Sequence, residues 1–321
     1  MNNQYVITGD ISNEIISCIV NNIYTKGFVW RGFTKSEKEM VPSATFYGVC
    51  NGQAGIGKYE KCDSIQPVFI LGELERISRY INNKNKLGEY PFEIPEELYE
   101  LIFPQTQGES KFLEKLKNRY KYNFYPKNNL LLQAISYVQH YYGGTSLLDF
   151  TVNPLKALYF SIGKKDNNSH INIDLWNNDD SFLFGMPINS FQFCKNNLSS
   201  NDEDKFDLFL PSYYKNTRIR NQEGIFIYQL FDMNSICTDH VFYYRNILNI
   251  FEEKYKNMDK MDLIEIEEKS QNSNFGGIDG RIGILYILLK IPKEEKLYLK
   301  HYLNSIGIDD NFMMGKEYDK E

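Results

Sequence analysis

Residues 139–160 read QHYYGGTSLLDFTVNPLKALYF. Gln139, His140 and Tyr141 close an apolar run, NNLLLQAISYVQHYY, whose spacing predicts a helix. Gly143 and Gly144 let the backbone turn, TSLLDF reads as a strand or extended turn, and Asn153-Pro154 opens a second helix, PLKALYFSIGKK. Proline sits near the first turn of that helix, where its missing N–H is no loss, and Thr151 and Asn153 are its candidate caps. His140, Thr145, Ser146 and Asp149 are thus gathered around one turn inside a stretch that otherwise reads as core. Buried polar groups need partners, so these serve as caps and turn bonds, or they face a ligand; the N-terminus of the second helix favours an anionic one.

Working outward, Asn13–Ile23 has apolar residues at helical spacing with Ser12 placed to cap it, and FVWRGF (28–33) reads as a buried strand. Helical periodicity returns around 68–82 and dominates from 94 to 139. Beyond residue 165, INIDLWN, SFLFGMPI, EGIFIYQLF and GRIGILYILLKIP carry the β-branched and aromatic runs of strands, KNNLSSNDEDKFD is a polar loop, and one further helix ends at Gly307. There is no internal repeat and no Pro/Gly/Ser-rich linker. The expectation is a single α+β domain over 1–321, with a mainly helical insertion at about 59–138.

Composition narrows the functions. With 42% hydrophobic and 24% charged residues, the chain can bury a sizeable core. A net charge of −6 argues against a broad basic footprint for duplex DNA, while leaving room for a local cationic cleft. The five cysteines are scattered, with no CxxC and no Cys/His cluster at ligand spacing, so no disulfide framework and no metal site are expected. The N-terminus lacks a basic-apolar signal and no apolar run reaches the roughly 18 residues of a membrane span, which predicts a cytoplasmic protein. No Ser-His-Asp order and no G-x-S-x-G is present. NGQAGIGK (51–58) lacks the spacing of a phosphate loop, because Lys58 is followed by Tyr59.

Two other polar placements stand out. Arg31 sits inside an aromatic strand and must reach a partner, either a buried carboxylate such as Asp149 or the phosphate or diol of a ligand; Gly32 beside it admits a close approach by backbone or ligand. Gln222 and Glu223 lie at the mouth of the apolar strand GIFIYQ, placed to reach a ligand's hydroxyl groups or simply to form a solvated turn.

Taken in order, FVWRGF, the 139–160 stretch and RIRNQEGIFIY (218–228) resemble the signature segments of the FRG domain family, named for its Phe-Arg-Gly motif. The long segment of that family runs approximately Q-H-Y-G-x-P-T-R-L-L-D-W-T-x-N-P-x-x-A-L-Y-F-A. Gln139, His140, Tyr141, Thr145, Leu147, Leu148, Asp149, Thr151, Asn153, Pro154, Ala157, Leu158, Tyr159 and Phe160 match it, while Tyr142, Gly144, Ser146 and Phe150 depart. MVPSATF (40–46) resembles the family's Pro-Ser element.

A second resemblance is to ADP-ribosyltransferases of the Arg-Ser-Glu type, with an Arg on an early strand, a Ser/Thr strand leading into an A-x-x-Y/F-F helix, and a Glu at the start of a later strand. Arg31, Thr145 or Thr151 with ALYF, and Gln222/Glu223 follow in that order. The resemblance implies a mixed, mostly antiparallel split sheet with flanking helices, and NAD as substrate. It implies Arg31 with Gly32 on the NAD phosphates, Thr145, Thr151 and Tyr159 at the nicotinamide pocket, His140 and Asp149 shaping that pocket, and Gln222 or Glu223 on the ribose. The implied activity is mono-ADP-ribosyl transfer to a macromolecular acceptor, protein or single-stranded nucleic acid, by the toxin of a bacterial phage-defence or toxin–antitoxin system, held in check by an antitoxin protein. The alternatives are a non-catalytic nucleotide- or protein-binding module and an NAD glycohydrolase.

Overall fold

The computed structural model describes residues 3–21, 27–34, 67–88, 130–141, 145–162, 164–165, 171–172, 179–188, 206–212, 216–229, 246–256, 259–260, 262–265, 268 and 282–314. The strand at Phe28–Thr34 (β2) shows how the molecule is organised, because its side chains alternate between two cores. Phe28 and Trp30 enter one hydrophobic cluster and Val29 and Phe33 the other.

In chain order, β1 (Asn3–Asp10), α1 (Asn13–Asn21) and β2 are followed by α2 (Pro67–Lys86) and α3 (Leu130–Tyr141). Next come β3 (Leu147–Thr151), α4 (Pro154–Ile162), a small ribbon of β4 (Lys164–Lys165) with β5 (Ile171–Asn172), β6 (Ser181–Pro187) and β7 (Phe206–Phe209). The chain continues through α5 (Thr217–Gln222), β8 (Gly224–Gln229), α6 (Ile247–Tyr255), β9 (Asp259–Lys260), β10 (Ile282–Ile291), α7 (Lys296–Ser305) and α8 (Asp310–Met314). The fold is a mixed α/β one, built on an open sheet in the order β7-β8-β3-β2-β6-β10-β1-β9. Pairing is antiparallel except for β1, which runs parallel to both β10 and β9.

One face of the sheet packs on α1, α4, α7 and α8 through Ile15, Ile19, Leu158, Ile162, Leu299, Leu303 and Met313; the other packs on α6 through Ile247, Ile250 and Phe251. Pairing is uneven across the middle. β2 and β6 register over seven positions and β3 and β8 over five, whereas β2 and β3 share one, Trp30 with Thr151. The junction of β2 with β3 is therefore the most sparsely paired in the eight-stranded sheet.

Two glycines permit the central packing. A side chain at Gly32 would lie 1.9 Å from the Ala157 carbonyl oxygen, so α4 rests directly on β2 at that point. A side chain at Gly185 would lie 2.3 Å from the Trp30 ring, which occupies the space above it and is fully buried. The close approach that the sequence leaves open at Gly32 is thus made by the protein's own helix.

Local signals in the sequence are realised as local structure. Ser12 Oγ accepts from Ile15 N (3.2 Å) to cap α1, Asn153 Oδ1 accepts from Leu155 N (3.0 Å) to cap α4, and Gly307 has φ +82° past the end of α7. Of the expected insertion at 59–138, α2 and most of α3 are described; the two helices lie side by side, and Ile77, Tyr80, Ile81 and Ile135 are buried. MVPSATF, NGQAGIGK, the glycine turn at 143–144 and the loop at 195–205 lie outside the described residues. No described helix is long and apolar enough to cross a membrane.

Candidate functional site

The polar residues of the 139–160 stretch form one connected network where β3 meets α3. Thr145 Oγ1 accepts from Leu147 N (3.2 Å) and donates to Gln139 Oε1 (2.5 Å). With its oxygen fixed in this way, the Gln139 amide turns its nitrogen to donate to Asp149 Oδ2 (2.8 Å). Thr145 is fully buried. The threonine orients the glutamine, and the glutamine holds one carboxylate oxygen.

Arg31 meets this network from the opposite side of the sheet. Its neighbour Gly32 faces α4, so strand alternation directs Arg31 the other way, where its guanidinium carbon stands 6.0 Å from the centre of the Phe150 ring. Arg31 Nη1 donates to the backbone carbonyl of Asp149 at 2.5 Å. Toward Asp149, the group that Arg31 bonds is the backbone carbonyl. It lies where β2 and β3 have parted, so the guanidinium serves a carbonyl that the strand ladder no longer reaches.

The exit of β3 is joined to the approach of β8. Thr151, which is buried, donates from Oγ1 to the carbonyl of Gln222 (2.7 Å) and accepts from Asn153 N (3.1 Å), while Val152 N donates to the Glu223 carbonyl (3.3 Å). One hydroxyl thereby fixes the turn into α4 and ties β3 to the end of α5. Thr151→Val, nearly isosteric, leaves both groups without that oxygen and is expected to lower stability by about 1–3 kcal/mol, measured as a shift in the urea midpoint at constant slope.

Asn216 begins α5, its Oδ1 accepting from Ile219 N (3.0 Å), and Glu223 ends it. Glu223 adopts φ 49°, ψ 45°, the left-handed conformation that favours glycine, and is the non-glycine residue with positive φ among those described. Its Oε1 accepts from Lys156 Nζ at 2.7 Å. The two ends of this pair differ sharply, with the lysine side chain 6% exposed and the carboxylate 41% exposed. Lys156 also stands 5.3 Å from the Phe312 ring centre.

Two other residues singled out from the sequence turn inward, toward α8. Gln222 is buried and its amide nitrogen donates to Met313 O (3.2 Å). Its neighbours act likewise, Asn221 Nδ2 donating to Phe312 O (2.6 Å) and Arg218 Nε to Met314 O (2.9 Å), so α5 caps the last carbonyls of α8. Tyr159 OH donates to Asp310 Oδ1 (2.6 Å). Burial, with the hydrogen bond to Asp310 and the negative charges of Asp310 and Asp309, pushes this phenol far above its ordinary pKa and keeps it a donor. The backbone of His140 lies in α3 and its side chain is outside the description.

Arg31, Thr151 and Glu223 are thus brought to one level of the sheet, Gln139, Thr145 and Asp149 are joined beside it, and Gln222 and Tyr159 are directed to α8. Lys156 was not legible as a site residue, because its motif position is an unspecified one and its partner is 67 residues away. The cleft of about 450 Å³ at the start of β6 and the end of β10 contains none of these residues. Its facing charges are paired, Asp180 with Lys290 at 3.0 Å and Lys293 with Glu294 at 3.9 Å. No cluster of His, Cys, Asp and Glu suited to a metal ion occurs among the described residues.

The network lies within the one span that resembles a known family: residues 74–170 match the model of the FRG domain. The matched span includes Gln139, Thr145, Asp149, Thr151 and Tyr159, while Arg31, Gln222 and Glu223 lie outside it. Neither the curated proteins nor the solved structures compared include a match to the chain.

Proposed function

We propose that the protein is an NAD-dependent mono-ADP-ribosyltransferase acting on a macromolecular acceptor, protein or nucleic acid. The observation that carries this reading is the register of three adjacent strands. Trp30 pairs with Thr151 and Thr151 with Gly224, so one row crosses β2, β3 and β8, with Arg31 one residue past it and Glu223 one residue before it. The Arg, Thr and Glu elements of the transferase pattern are therefore neighbours in space as well as ordered in sequence. The sparse pairing of β2 with β3 beside Arg31 is in keeping with the split-sheet type that the pattern implies.

The chemistry asked of these residues is modest. Cleavage of the bond between nicotinamide and ribose develops positive charge on the ribose, and a fixed carboxylate nearby stabilises it. The acceptor forms the new bond at the same ribose carbon and loses a proton, and nicotinamide leaves as a neutral molecule. On this reading Glu223 supplies the carboxylate and Arg31 the grip on the pyrophosphate, with NAD a substrate that leaves no group on the protein.

A second reading, a non-catalytic nucleotide-binding module, is favoured by one arrangement. Arg31 extends over Phe150 on one side of the sheet, whereas Glu223 turns to Lys156 of α4 on the other. Incubating the folded protein with adenylate-labelled NAD and a cell extract, then separating RNA, DNA and protein, decides between them. Nicotinamide release with label in a macromolecular fraction is expected; release without label indicates a glycohydrolase, and neither indicates the binding module. Arg31→Ala is expected to abolish release and to lower stability by about 1–2 kcal/mol, since the Asp149 carbonyl loses its donor. Activity measured alongside thermal unfolding separates the two effects.

A further inference from the structure

The network around β3 leaves one atom unaccounted for. Asp149 Oδ2 accepts from Gln139, but Asp149 Oδ1 is shielded from solvent and no group among the described residues bonds to it. A buried carboxylate oxygen without a donor is destabilising, and the cost is ordinarily avoided by an added donor or by a neutral residue at that position. Here the surroundings do the reverse. Thr145 fixes Gln139, Gln139 fixes Oδ2, and Arg31 fixes the Asp149 backbone, so the orientation of the lone oxygen is set by three separate side chains.

The placement of Asp149 supports a use for that oxygen. The register that pairs Trp30 with Thr151 puts Asp149 level with Gly32, two residues along from the last shared position, where β2 and β3 have separated. Gly32 contributes no side chain that could supply the missing donor. A carboxylate with one oxygen taken and one oriented but unserved suits a neutral donor, a hydroxyl or an amide N–H; a cation would be better served by both oxygens.

We propose that Asp149 reads the ligand: its Oδ1 accepts a hydrogen bond from a ribose hydroxyl or from the carboxamide N–H of the dinucleotide, with Gln139 and Thr145 as its positioning residues. This assignment rests on the NAD reading. It goes beyond it in naming the acceptor atom, the donor class it recognises and the relay that aims it.

The test uses the full chain, with NAD, ADP-ribose and nicotinamide as separate calorimetric probes and thermal unfolding as the control for folding. Asp149→Asn keeps the shape and the oxygen that Gln139 holds, but presents an NH2 group where an acceptor is required. It is expected to weaken NAD binding by about tenfold to a hundredfold without a matching loss of stability. Dependence on Asp149 that persists for ADP-ribose places the donor on the ribose, and dependence seen with nicotinamide places it on the carboxamide.

Unchanged NAD affinity in Asp149→Asn overturns the assignment while the NAD reading stands. A wild-type protein that binds none of the three probes overturns both. Should Asp149→Asn fail to fold, Thr145→Val decides instead, because it frees the Gln139 amide to rotate and leaves the carboxylate in place. A severalfold loss of NAD affinity in that variant supports the relay, and none contradicts it.

Discussion

The double variant Lys156→Met/Glu223→Gly is expected to be at least as stable as the wild type and to have lost ADP-ribosyl transfer by a hundredfold or more. A residue in the left-handed region without glycine's freedom costs about 1–2 kcal/mol, of which glycine, with its more flexible unfolded chain, recovers up to about 1 kcal/mol. Glu223→Gly alone would leave Lys156 buried without its carboxylate, a loss that outweighs this gain, so the lysine must be replaced with it. Exchanging such a pair for apolar groups of similar volume is often neutral or stabilising, and a methionine in the lysine's place would keep its packing near Phe312.

The expected loss of activity has another origin. If the carboxylate of Glu223 stabilises charge in the transition state, its removal costs what removal of a comparable preorganised group costs, on the order of a hundredfold to a thousandfold in kcat. A glutamate kept where glycine is cheaper would then be retained for chemistry. Denaturation midpoints and transfer rates on the same preparation check both halves. A double variant that loses more than about 2 kcal/mol would identify the pair as a structural fastening instead.

Gly32→Ala is the second large effect, and it bears on the fold alone. The added methyl would stand 1.9 Å from Ala157 O and 2.8 Å from Ser161 N, both backbone atoms of α4, so no side-chain rotation relieves the overlap. The helix would have to lift from β2 and with it the packing around Trp30 and Leu158. A loss of about 3 kcal/mol or more is expected, a large fraction of the stability of an ordinary domain, and is read as a lowered melting temperature. Gly9→Ala is the control, since nothing lies within 4 Å of a side chain there, and it should be nearly neutral.

Much of this architecture could be read from short windows of sequence. The caps at Ser12 and Asn153, the strand around Arg31 and the stop at Gly307 depend on residues a few positions apart. What depends on distant pairing could not. β1 carries no strong strand signal, yet it runs parallel to β10 through the sheet, and α8 is five residues long and gains its place by lending three carbonyls to α5.

The site divides in the same way. Sequence alone placed Thr145, Asp149 and Thr151 together, because one turn and one cap bring them there. The destination of the Arg31 guanidinium depends on where pairing between β2 and β3 stops, and that of Gln222 on where α8 docks. Lys156 needed both the helix face and the left-handed turn at Glu223 to be known before its partner could be named.

The most direct measurement is a crystal structure of the wild-type protein soaked with a non-cleavable NAD analogue. The analogue is expected with its pyrophosphate on the Arg31 guanidinium and its nicotinamide ribose within hydrogen-bonding distance of Glu223, the two residues that flank the row of Trp30, Thr151 and Gly224. An analogue bound elsewhere, or no analogue at saturating concentration while Arg31 remains on the Asp149 carbonyl and Glu223 on Lys156, would contradict it.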